Sequence, residues 1–67
     1  MADIKQQVGQ QIREARKAKG LTQKELGEKL GVSHTTVNIY ENGGQNLTLN
    51  TMQRIAQVLE IEVKDLL

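Results

Sequence analysis

Between Ser33 and Asn42 the chain reads SHTTVNIYEN, a run in which short polar side chains alternate irregularly with apolar ones. Wound at helical spacing, Val37, Tyr40 and Glu41 fall on one side, while His34, Thr35, Asn38, Ile39 and Asn42 fall on the other. An outward face of short hydrogen-bonding groups near a helix N-terminus suits the reading of base edges in a major groove. Such side chains reach the edges, and the amide end of the helix favours phosphate oxygens. An exposed Ile39 on that face fits a contact with a thymine methyl. Upstream, Thr22 and Gln23 begin another capped segment, where side-chain and backbone donors can meet phosphates. Asn42, Gln45 and Asn46 are candidates for the same task, their plainer role being capping and turn formation.

Other chemistries find few residues to work with. The chain has no cysteine and one histidine, so disulfides, thiolate metal sites and a usual zinc site are all excluded. There is no glycine-rich phosphate loop and no nucleophile beside a base, so neither an enzyme nor a cofactor is expected. No apolar stretch approaches the roughly 18 residues that cross a bilayer, and the opening MADIKQQVGQQ lacks the layout of a signal peptide, so a cytoplasmic protein without membrane contact is expected. The formal net charge is only +1, but its distribution is uneven. From Arg13 to Lys29 the bases Arg13, Arg16, Lys17, Lys19, Lys24 and Lys29 face the acids Glu14, Glu25 and Glu28, whereas Glu60, Glu62 and Asp65 near the end face Lys64 alone. A basic front and an acidic tail suit a protein that presents one end to phosphates.

The elements that must position these residues are helices throughout, since proline is absent and apolar residues recur at steps of three and four. Ile4, Val8, Ile12 and Ala15 form one stripe of a first helix that stops near Lys19, where Gly20 permits a left-handed residue. Thr22 caps a second helix, Glu25 completes a capping box, and Leu21 can staple against Leu26. Gly31 ends it and Ser33 caps the third helix, which Asn42 and the two following glycines close. After a polar loop, Thr48 caps a fourth helix with Met52, Ile55, Ala56 and Leu59 on one face, and Val63, Leu66 and Leu67 make a last turn. At 67 residues this is one domain, spanning residues 1–67, with a thin core; a chain this short buries only about 60% of its surface on folding, and self-association would add to that.

Two capped helices joined by a glycine-containing turn are a helix-turn-helix device. The residues Leu21, Thr22, Gln23, Leu26, Gly27, Gly31, Val32, Ser33, Val37, Tyr40, Glu41, Asn42 and Gly43 resemble the signature of the Xre or phage Cro/repressor family. With Arg16 upstream and MQRIAQVLEI downstream, the resemblance covers most of the chain. It implies an all-α, five-helix, lambda-repressor-like DNA-binding domain whose helices two and three form the helix-turn-helix. It implies that His34, Thr35 and Ile39 touch bases, with Asn38 between them, and that Arg16 and Glu41 form a structural ion pair. It also implies a homodimer that sets its third helices into successive major grooves of double-stranded DNA and represses transcription from a near-palindromic operator.

The stretch ENGGQNLTLNTMQRIAQVLEIEV looks like antitoxins of the HipB type, which leaves a toxin or other partner protein as a second expectation. Restriction-modification controllers are a further branch of the same resemblance. Three positions depart from the pattern. Gly27 replaces the usual Ala, weakening the second helix by about 1 kcal/mol. Glu60 replaces a glycine and Glu62 a Ser-type cap, so a frayed C-terminal turn is expected.

Overall fold

Three hydroxyl side chains start three of the helices. In a computed structural model of the chain, which describes residues 4–43 and 47–67, the Thr22 hydroxyl accepts from the Glu25 amide at 3.0 Å while the Glu25 carboxylate accepts from the Thr22 amide at 2.9 Å. Ser33 accepts from the Thr36 amide and Thr48 from the Thr51 amide, each at 3.2 Å. Each cap satisfies amides that the helix itself leaves without acceptors. The helices that follow are α2 (Gln23–Leu30), α3 (His34–Glu41) and α4 (Leu49–Leu59), with α1 (Ile4–Ala18) ahead of them. Among the described residues there is no strand.

Glycines end the first two helices as their backbone requires: Gly20 and Gly31 have φ of 76° and 77°, the left-handed region that side chains with a Cβ resist. Gly27 has a different task. A Cβ there would lie 2.7 Å from the Val32 carbonyl oxygen, so the turn between α2 and α3 folds back onto α2 more closely than alanine would permit. The loss of helix propensity at Gly27 is therefore offset by a tighter helix-turn-helix corner.

Val8, Ile12, Leu26, Leu30, Val37, Met52, Ile55, Ala56, Leu59 and Leu66 form one buried cluster drawn from every element. Ile12, Leu26, Val37, Ile55 and Leu66 are fully buried, each stabilising the fold by about 1.5 to 3 kcal/mol. The α4 face anticipated from periodicity is wholly buried. The α1 stripe is shorter than anticipated, because Ile4 is 65% exposed one turn before the helix reaches the core.

The expected fifth helix is a single 3-10 turn, Val63–Leu66. Its bonds run from the Asp65 amide to the Glu62 carbonyl and from the Leu67 amide to the Lys64 carbonyl, three residues back in each case. The turn is formed despite the departures at Glu60 and Glu62. Glu60 takes the left-handed conformation itself, at φ 59°, and its carboxylate pairs with Lys19 across the corner. The Glu62 amide donates to the Asp65 carboxylate at 3.0 Å, and Leu66 is fully buried.

Candidate nucleic-acid interface

The inner side of α3 is held by an ion pair. Arg16 of α1 donates from Nε to Glu41 Oε2 at 2.6 Å and from Nη2 to Oε1 at 3.1 Å, and its Nη1 donates to the Leu21 carbonyl at 2.7 Å. Both side chains are nearly sealed from solvent, so the bidentate geometry and the third bond offset the desolvation of two charges. One guanidinium thus joins α1, the head of α2 and the tail of α3. Val37 is fully buried beside this pair's helix face, and Tyr40 is half-buried against the core.

On the outer side of α3, His34, Thr35, Asn38 and Asn42 are exposed. Ile39 is half-buried rather than free, so it offers only part of its side chain to a ligand. Thr22 is exposed at the head of α2, its hydroxyl engaged in the capping box. Gln23 is more committed than its position at a helix start suggests: Nε2 donates to Asn38 Oδ1 and to Glu41 Oε1, both at 3.2 Å. Its backbone amide remains among the helix-start donors of α2. Asn42 Nδ2 also donates to Asn38 Oδ1, at 3.2 Å. Gln45 and Asn46 lie outside the described residues.

Residues that the sequence reading left unassigned frame this face. Lys17 and Lys24 line one open depression together with Thr22, Gln23 and His34, at the N-terminal end of α3. Arg13 and Lys17 line a second with Gln10, Glu14, Glu41 and Asn42, at its C-terminal end. Lys19 and Lys64 are paired with Glu60 and Glu62, yet among the described residues no ion pair engages Arg13, Lys17 or Lys24. The basic run from Arg13 to Lys29 is the sequence signal that contains them, but only folding separates the cations beside α3 from those turned elsewhere. The Thr22 amide, followed by its hydroxyl, holds the Glu25 carboxyl below the usual carboxylate range, with a smaller push from Lys29. Among the described residues no group of His, Cys, Asp or Glu could hold a metal ion, and no helix is long and apolar enough to cross a membrane.

Known proteins resemble this chain in sequence and in fold. The chain is 35% identical over 57 residues to the antitoxin HipB of Escherichia coli K12, covering 85% of this chain. It superposes with a TM-score of 0.83 and 37% identity on the restriction-modification controller protein C.AhdI of Aeromonas hydrophila, covering 90% of this chain and 87% of that one. It matches SinR, a master regulator for biofilm formation solved in complex with DNA, with a TM-score of 0.80 and 33% identity over 88% of this chain and 95% of that one. The chain spans 65% of the length of HipB and 40% of an HTH-type transcriptional regulator of Sinorhizobium medicae. The helix-turn-helix family model HTH_3 matches residues 12–66, from the middle of α1 to the last buried leucine, and the chain belongs to that family.

Proposed function

We propose that this chain is a sequence-specific, DNA-binding transcriptional regulator acting as a homodimer, with repression of a near-palindromic operator as its output. The observation that carries the reading is the exposed polar face of α3 between Arg13, Lys17 and Lys24, cations that no ion pair engages among the described residues. His34, Thr35, Asn38 and the open part of Ile39 read base edges. Thr22, the Gln23 amide, Asn42 and the neighbouring Gln45 and Asn46 hold phosphates, joined by Arg13, Lys17 and Lys24. Phosphate contacts set register and bulk affinity; base contacts choose the sequence. Residues 1–67 act as one DNA-binding unit, two copies of which place their α3 helices about 34 Å apart.

Likeness to SinR bound to DNA and to HTH-type transcriptional regulators supports this reading. Likeness to HipB favours a second one, in which the same chain also binds a toxin and regulates its own operon. Selection of bound sites from random duplex DNA tests the first. A two-fold-symmetric consensus is expected, and substitution of Thr35 or Ile39 should change which sequences are recovered. Failure to enrich any sequence at low salt would leave the partner-protein reading in its place.

A further inference from the structure

A carboxylate accepts hydrogen bonds and donates none, and from the buried pair this asymmetry reaches the outer face of α3. Glu41 is held by Arg16 through both oxygens, so the Gln23 atom 3.2 Å from Glu41 Oε1 must be its nitrogen. That nitrogen carries a second hydrogen, and the Asn38 atom 3.2 Å from it must then be the oxygen. Asn42 adds its own amide nitrogen to the same oxygen at 3.2 Å. Asn38 Oδ1 therefore has both lone pairs engaged, while Nδ2, with two N–H groups on an exposed residue, has no partner among the described residues.

We propose that Asn38 is a specificity-determining residue that meets DNA as a donor only, and that Gln23 is the positioning residue that imposes this polarity. The proposal rests on the DNA-binding reading above. An unconstrained asparagine in the major groove pairs with adenine by donating to N7 and accepting from N6. Asn38, unable to accept, matches instead an edge made of acceptors, which is guanine N7 and O6. It opposes the N4 amino donor of cytosine, and with adenine it keeps only the N7 half of the pair.

The test compares site selection from random duplexes by the full chain and its variants. The base pair facing Asn38 is the one whose preference flattens in Asn38→Ala, and guanine is expected there for the wild type. Asn38→Asp, an acceptor only, should move that preference to cytosine. Gln23→Met removes the donor whose polarity Glu41 fixes and leaves only Asn42, whose own amide can turn together with that of Asn38, so it should raise adenine relative to guanine by about five-fold or more at that position alone, whatever happens to overall affinity. Since Gln23→Met also touches Glu41, its fold is checked by circular dichroism; Asn38→Asp, which touches no core group, tests the polarity independently. Adenine preferred by the wild type, no change in Asn38→Ala, a guanine preference kept by Asn38→Asp, or an unaltered preference in folded Gln23→Met each overturns the proposal. Absence of any enriched site for the wild type is a different result, which removes the DNA-binding reading itself.

Discussion

Gly9 and Glu41 are in backbone contact across the crossing of α1 and α3: a Cβ on Gly9 would lie 2.6 Å from the Glu41 carbonyl oxygen, and 2.7 Å from that of Tyr40. Backbone cannot swing aside as a side chain can, so the two helices approach this closely only because position 9 has no side chain. Alanine would gain about 1 kcal/mol of helix propensity, yet overpacking of this kind costs roughly 1 to 3 kcal/mol. Gly9→Ala should lower the urea midpoint and weaken DNA binding by tilting the tail of α3. An unchanged midpoint would show that the crossing can relax.

The Arg16–Glu41 pair should respond asymmetrically to mutation. Arg16→Met or Glu41→Leu alone leaves a buried charge without its partner, at a cost of about 3 to 5 kcal/mol. The double variant should recover most of that loss in equilibrium denaturation. Additive losses would mean that the pair contributes through something other than mutual compensation.

Glu60 holds a left-handed backbone conformation that costs a residue with a Cβ about 1 to 2 kcal/mol. Its ion pair with Lys19 is exposed and contributes less than about 1 kcal/mol in return. Glu60→Gly should therefore stabilise the protein by roughly 0.5 to 1 kcal/mol, a rise of several degrees in Tm for a chain of this size. A fall in Tm would mean that the ion pair outweighs the backbone strain.

Acid should loosen the head of α2. The Glu25 carboxyl titrates below its unfolded value because it accepts from Thr22, so its stabilising effect is complete above the ordinary glutamate range and is lost as pH falls through the depressed folded value. Comparing wild type with Glu25→Gln, the gap in stability seen at neutral pH should narrow as pH falls below the ordinary glutamate range and close once it passes the depressed folded value. A gap that widens on acidification would have the wrong sign.

The cations beside α3 that no ion pair engages among the described residues should be visible in salt. Each phosphate that Lys17 or Lys24 neutralises adds about 0.9 to the slope of log K against log salt. Lys17→Gln and Lys24→Gln should each flatten the slope by that amount per protomer while leaving the selected consensus intact. Lys64→Gln, in a pair with Glu62, should leave both unchanged.

Much of the path to the site was legible before folding because capping is local chemistry. Thr22 and Glu25, Ser33, and Thr48 each act within a few residues of their own position, so the starts of three helices follow from short stretches of chain. Periodicity likewise separates Val37 from Thr35 and Asn38 on α3. Where it falls short is at the margin of a face: Ile39 is half-buried and Ile4 exposed, since an ideal helical period says nothing of where a neighbouring helix ends. Residues far apart in the chain are less legible still. Lys19 meets Glu60 across 41 positions and Gln23 meets Asn38 across 15, and nothing in either local sequence indicates the partner.

By itself, then, the sequence determined the helices, their caps, the inward and outward sides of α3 and the basic character of the run from Arg13 to Lys29. Those properties depend on backbone hydrogen bonding and side-chain type within a turn or two. Only the tertiary structure decided which cations lie outside the ion pairs of the described residues, why a Cβ at Gly9 or Gly27 would meet backbone, and which end of the Asn38 amide is left open. Each of these is a distance between atoms of different helices, set by how the helices pack around one shared core.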